Sequence, residues 1–193
     1  SFHLGFMIGP RVNAGGRVGR ADLGARCLSA TDPIEARRMA EQLDELNRDR
    51  RAIEAAVREE ALAQVEARGD ASLSWAAGDG WHPGVVGIVA ARVKERTGLP
   101  SVVIGVDGGV GKGSARSVPG VDLGRAVQRL AAEGLIEKGG GHRMAAGLTV
   151  AEAGIAAAMA RLAQIIAPEL AGRSGQGDLR ISGLMEPAAA TPE

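Results

Sequence analysis

From Ile34 to Arg68 this chain of 193 residues contains neither glycine nor proline, and that interval constrains its fold more than any other. Asp32 can cap a helix, Pro33 suits a first helical position where its missing N–H costs nothing, and Glu35 falls three residues after the cap. Apolar Met39, Leu43, Leu46, Ile53, Val57 and Val65 recur at spacings that form one stripe, with Arg and Glu on the other faces. The interval predicts one helix of roughly 35 residues, or two in line, about 50 Å long at 1.5 Å per residue. In a small protein such a helix spans between domains or pairs with another helix.

Beyond Gly69 the pattern changes to short alternating elements. Ser72 to Ala77 reads as a strand, Asp79-Gly80-Trp81-His82-Pro83-Gly84 as a loop, and Val85 to Arg96 as a helix ended by Gly98 and Pro100. A β-branched strand from Ser101 to Val106 turns at Asp107-Gly108-Gly109 into a second, Val110 to Ser117. Asp122 opens a helix to about Glu133, Gly139 to His142 reads as a loop, Met144 to Thr149 as a strand and Ala151 to Ile166 as a helix. The fold class is α/β, a mixed sheet flanked by helices with one βαβ crossover, preceded by the long helix.

Gly9-Pro10-Arg11-Val12-Asn13-Ala14-Gly15-Gly16-Arg17 is too rich in glycine for a stable helix interior and reads as a loop, followed by a short helix near Ala21 to Leu28. Gly172 to Gly177 reads as a linker and Asp178 to Met185 as a lone strand, which cannot fold by itself. With no initiator Met and an opening that reads as ordered, the chain is expected to be a fragment.

Charge narrows the function. Basic and acidic residues balance at 23 each, which argues against a protein held on nucleic acid by bulk positive field. Anion binding must come from local sites. All basic residues but Lys94, Lys112 and Lys138 are Arg, a skew that suits bidentate phosphate recognition and fits genome composition equally well. Aromatics make up 2%, so the core must be aliphatic. Cys27 is alone and no apolar run is expected to reach the ~18 residues of a membrane span, so an intracellular, cytoplasmic setting is expected.

Three segments could meet an anion. Gly139-Gly140-Gly141-His142 could wrap a phosphate with main-chain amides while His142 donates a further bond; a flexible turn with an incidental histidine reads the same residues. Ser114 and Arg116 point to one face of their strand and could clamp a phosphate, although a solvated edge arginine is the commoner case. Trp81-His82 precedes a helix N-terminus, where an anion could sit and Trp81 could stack on a base or sugar. The stronger reading gives Trp81 to the core and His82 a structural contact. His3, His82 and His142 show no metal-ligand spacing, and no metal site is expected in this chain.

Taken in order, GPRVNAGGR, LNRDRRAIE on the long helix, GWHPGVVGIVAARV, GKGSARSV and GGGHRMAAG resemble RecJ-type exonucleases of the DHH phosphoesterase superfamily, from about Phe6 to Ile166. The resemblance implies that residues 1–31 end a DHH domain, 32–69 form the connector helix, 70–171 a DHHA1 substrate-binding domain, and 172–193 a linker with the first strand of an OB-fold. It implies a 5′-to-3′ exonuclease acting on single-stranded DNA in repair or recombination, with Mn²⁺ or Mg²⁺ held by the DHH domain. Single-strand-binding protein or a helicase would be its partner, and no membrane. Ser114 and Arg116 would grip a phosphate near the 5′ end, and Gly140, Gly141 and His142 would contact the scissile phosphate, His142 in a catalytic role. Arg11, Asn13 and Arg17 would face the cleft. GGGH is shared by DHHA1 phosphoesterases of short oligonucleotides or small phosphates, and a non-catalytic nucleic-acid-binding module is a further alternative, since related DHHA1 domains occur beside tRNA-synthetase cores. WHPGVVGI and GPRVNAGGR lean toward the exonuclease, and the long helix argues against the synthetase setting.

Overall fold

The glycine- and proline-free interval is one continuous helix, α3 (Pro33–Arg68), in a computed structural model that describes residues 2–69 and 72–171. The expected linker and strand at 172–185 lie outside those residues. Asp32 caps α3 by accepting a hydrogen bond from the Ile34 N–H at 3.0 Å. Gly69 ends it in the left-handed region at φ +64°, where only glycine avoids a steric cost. The buried stripe serves two clusters. Met39 and Leu43 meet Leu23, while Val57, Ala61 and Val65 pack on the sheet and its covering helix. Between them the stripe turns polar: Asn47 accepts from Arg50 Nη2 at 2.9 Å, and Arg50 pairs with Glu54 at 2.5 Å.

Ahead of α3, a π-helical segment His3–Ile8 leads into α1 (Gly9–Val18), followed by α2 (Leu23–Ser29). α1 corrects the expected loop. Ala14 and Gly15 are buried, and a Cβ on Gly15 would stand 3.3 Å from Leu43 and 2.9 Å from the Arg20 carbonyl. The glycine that weakens the helix locally lets it press against α3, so tertiary packing overrides propensity.

The sheet has five strands, β1 (Ser74–Asp79), β2 (Ser101–Asp107), β3 (Val110–Arg116), β4 (Lys138–His142) and β5 (Ala145–Ala151), in the order β1-β2-β3-β5-β4. β1 and β2 are parallel, joined by α4 (Pro83–Thr97); the other pairings are antiparallel. Helices α5 (Leu123–Ala132) and α6 (Ile155–Ala171) pack on the face that carries Val102, Ile104, Ala115 and Leu148. α4, backed by α3, covers the opposite face at Ala76 and Val103. The span Glu152–Ala171 is long and apolar enough to cross a bilayer by length and composition, contrary to expectation. Met159, Leu162 and Ile166 sit in the core, which accounts for that apolarity.

The second correction concerns Gly139 to His142, which form edge strand β4 rather than a loop. Pairing with β5 satisfies one side of the main chain, and a Cβ on Gly139 would stand 2.5 Å from Val127 and 2.7 Å from Ile136. That glycine is required by packing against α5.

Candidate functional site

Strand alternation places Lys112, Ser114 and Arg116 on the α4 face of β3, and register extends each position into a row. Arg116 stands beside Ala145, which pairs with His142. Ser114 stands beside Gly147, which pairs with Gly140. Lys112 stands beside Thr149, which pairs with Lys138. α4 covers β1 to β3, leaving the β5–β4 part of this face open: Gly147, Lys138 and His142 are exposed. No acidic residue stands on the three strands' share of it.

α4 comes down on Ser114 and Arg116 at Gly87, where a Cβ would stand 3.0 Å from Arg116 Nη2 and 3.1 Å from Ser114 Oγ. Arg116 is half-buried, and Nη1 donates to its neighbour's carbonyl, Ala115 O, at 2.9 Å. Burial pushes its pKa down, and the nearby Arg17 guanidinium pushes in the same direction. Among the described residues neither arginine has a carboxylate partner. Two guanidiniums held close without a counter-ion favour an anion between them.

Arg17 reaches this place because α1 ends against the start of α4. Its Nη1 donates to the Gly84 carbonyl at 3.1 Å, and any Cβ on Gly84 would overlap the Arg17 main chain. Asn13 and Arg17 also line a groove of 760 Å³ with Arg50, Arg51, Glu54, Ile88 and Arg92. Arg11 does not join them. On a helix it lies about 160° around from Asn13 at ~100° per residue, and it pairs with Asp44 at 2.6 Å.

His142 sits at the end of the β4–β5 hairpin, whose tip is pinned twice. Ser117 N–H donates to Met144 O at 2.9 Å and Leu123 N–H to Arg143 O at 3.1 Å. Gly124 at the start of α5 lies so close that a Cβ would stand 2.8 Å from the His142 carbonyl. Of the three glycines, Gly141 has φ +154° and is hemmed in by Ala145 and Ala146, and Gly139 abuts α5. A Cβ on Gly140 would meet no atom within 4 Å, and one on Gly147 would meet only Gly113 O, at 3.8 Å. Nothing inside the fold requires either to be glycine. A bare strand surface of that kind is where another group can approach the backbone.

Trp81 is held by the core. It is 6% exposed, belongs to the cluster beneath α4, and its indole N–H donates to Glu60 at 3.0 Å. His82 caps α4, its Nδ1 accepting from the Gly84 N–H at 3.0 Å. These contacts agree with the reading that gives Trp81 to the core and His82 a structural role, while both residues also border a hollow that Lys112 lines. Gly87, Gly147, Lys112 and Lys138 join the site through the fold, and sequence reasoning does not single them out.

The fold and the face define an α/β domain whose donors, a half-buried guanidinium and hydroxyl beside an exposed imidazole and ammonium groups, suit a phosphate. The DHHA1 domain family matches residues 70–168, and the chain belongs to that family. The chain is 44% identical over 157 residues to the single-stranded-DNA-specific exonuclease RecJ of Dickeya dadantii (77% of this chain, 27% of the relative). It is 36% identical over 198 residues to that of Escherichia coli K12 (98% and 34%) and 39% identical over 150 residues to that of Bacillus subtilis (76% and 19%). It thus spans about a third or less of the length of these curated relatives. A crystal structure of Thermus thermophilus RecJ in complex with Mn²⁺ superposes with TM-score 0.77 at 34% identity, covering 86% of this chain and 24% of that one. A second exonuclease RecJ structure, bound to manganese, gives TM-score 0.77 at 32% identity (89% and 43%). Among the described residues no three His, Cys, Asp or Glu side chains come together to hold a metal ion. These residues do not fit a Mn²⁺ or Mg²⁺ site, and no chemical step through a metal follows from them.

Proposed function

We propose that this chain is the substrate-gripping part of a metal-dependent 5′-to-3′ single-stranded-DNA exonuclease, with Mn²⁺ or Mg²⁺ held by a companion DHH domain that carries out the hydrolysis. The observation that carries the reading is Arg116, held with Ser114 against α4 at Gly87 beside the open Gly140–Gly147 pair and without a carboxylate partner among the described residues. Arg116 and Ser114 bind the 5′ phosphate, the Arg fork supplying two parallel donors. Main chain at Gly140 and Gly141 lies against the scissile phosphate, where His142 offers a proton to developing negative charge. A cytoplasmic setting in repair or recombination, and single-strand-binding protein or a helicase as partner, belong to the same reading.

The test is cleavage of a single-stranded oligonucleotide with Mn²⁺ by the product of the complete open reading frame. Losing a charge-assisted hydrogen bond of about 1.5–3 kcal/mol lowers kcat/KM roughly 10- to 100-fold in Arg116→Ala. The circular dichroism spectrum stays unchanged, and the preference for a 5′-phosphate over a 5′-hydroxyl disappears. Wild-type turnover with the preference intact overturns the reading.

A further inference from the structure

The third row of the open face has no role in the function proposed above. Lys138, Thr149 and Lys112 stand side by side on β4, β5 and β3, with Lys138 and Lys112 exposed. Two of the chain's three lysines are therefore brought to one row from positions 26 residues apart in sequence. Neither has an ion pair among the described residues. Asp107 borders the same hollow as Lys112 without pairing to it. The two lysine backbones are about 10 Å apart across two strand spacings, and their row lies about 13 Å along the strands from the Arg116 row. The glycine pair Gly140–Gly147 occupies the ground between.

We infer that Lys112 and Lys138, with the Thr149 hydroxyl between them, form a second phosphate subsite that holds internal phosphodiesters of the single strand whose 5′ end lies at Arg116. The inference rests on the function proposed above. The separation of about 13 Å corresponds to about four nucleotides at ~3.4 Å each in a stacked strand, fewer when extended. Side-chain type divides the work. Arginine's fork suits a terminal phosphate with several free oxygens, whereas lysine is a point charge that tolerates any orientation of a singly charged diester. Lysine on an edge strand also guards against edge-to-edge pairing, which would account for Lys138 alone. It does not account for Lys112, since β3 is interior to the sheet.

The experiment is fluorescence anisotropy with a 5′-phosphorylated single-stranded 12-mer, titrated from 50 to 200 mM salt, using the complete open-reading-frame product. Each neutralised phosphate contributes a slope of about 0.7 in log K against log salt for single strands. Lys112→Gln/Lys138→Gln lowers the slope by about 1.4, so the loss of affinity across that range becomes about sevenfold smaller. Lys112→Arg/Lys138→Arg restores it, which separates charge from any damage to the fold. Against a 5′-phosphorylated dinucleotide, the wild-type protein itself shows the shallower slope. An unchanged slope in the Gln variant while Arg116→Ala weakens binding overturns the second subsite and leaves the proposed function standing. An unchanged slope together with wild-type binding by Arg116→Ala removes both.

Discussion

Gly139 and Gly140 are neighbours on one edge strand, yet they respond oppositely to a methyl group. In Gly139→Ala the new Cβ stands 2.5 Å from Val127 Cγ1 and 2.7 Å from Ile136 Cδ1, and both of those residues are buried. Overpacking of that kind costs about 1–3 kcal/mol, or about 2–12 °C in Tm for a chain of this size. In Gly140→Ala the Cβ meets nothing within 4 Å, and the residue is not among those with positive φ. Its effect on stability then comes from the unfolded chain, whose freedom it reduces: a gain of about 0.4–1 kcal/mol, or about 1–4 °C. If a phosphate lies on this strand, the same methyl displaces it and removes a charged hydrogen bond, so affinity for a 5′-phosphorylated oligonucleotide falls roughly 10- to 100-fold. Calorimetry and anisotropy on the two variants check both signs. A Gly140→Ala protein that is stabilised and binds DNA like wild type would refute the glycine floor as a ligand surface. Gly147→Ala, whose Cβ meets only Gly113 O at 3.8 Å, is expected to repeat the result.

His142→Ala is expected to lower kcat with little change in KM, because the imidazole acts on charge that develops only in the transition state; steady-state kinetics showing a rise in KM alone would contradict this role. Trp81→Phe removes the hydrogen bond to Glu60 and part of a buried ring, so thermal melts should show a loss of about 1–3 kcal/mol with oligonucleotide affinity retained. A selective loss of affinity would return Trp81 to the binding surface. Glu133 receives both Arg161 donors at 2.8 Å and Arg129 at 2.9 Å, and the Arg161 hydrogen bonds in particular hold its carboxyl down at about 2. Because its folded pKa lies below the ordinary value of 4.5, its contribution is present above that value and lost as pH falls through about 2. The Tm gap between wild type and Glu133→Gln should therefore close between pH 5 and 2; a constant gap would show that the clasp between α5 and α6 carries no pH-dependent stability.

The parts of this fold legible in the sequence are those set by chemistry local to the chain. The Asp32 cap, the Gly69 stop and the Gly108–Gly109 turn are each decided within a few residues, the last two by positive φ that glycine alone adopts freely. The α1 helix is illegible because its warrant is distant: Gly15 is helical because Leu43 lies against it. β4 is illegible for the same reason, since glycine propensity favours a loop and only β5 and α5 decide otherwise. At the site, the shared face of Ser114 and Arg116 follows from strand alternation, and the same parity adds Lys112. It cannot add Gly147 and Lys138, because their rows exist only through the β3-β5-β4 order. Arg11 belongs with Asn13 and Arg17 only if all three lie on one loop; helical geometry turns it away.

The balance of 23 basic and 23 acidic residues excludes a bulk positive field, but it conceals a partition. Asp22, Asp44, Glu54, Glu95 and Glu133 are each engaged by arginines on or beside the helices, at 2.5 to 2.9 Å in their shortest contacts. Arg50–Glu54 is largely buried; the other pairs are more exposed and contribute little to stability, on the order of 0–1 kcal/mol each. They do cancel much of the helical charge locally. Among the described residues Arg17, Arg116, Lys112 and Lys138 take no part in that cancellation, and they converge on one side of the sheet. Screening confines a field to roughly 8–10 Å at physiological salt, so a strand of DNA laid on this face would meet these four cations and not the molecular average. Neutrality of the whole chain is therefore compatible with phosphate recognition, provided that recognition is short-ranged and depends on where the strand lies rather than on attraction from a distance.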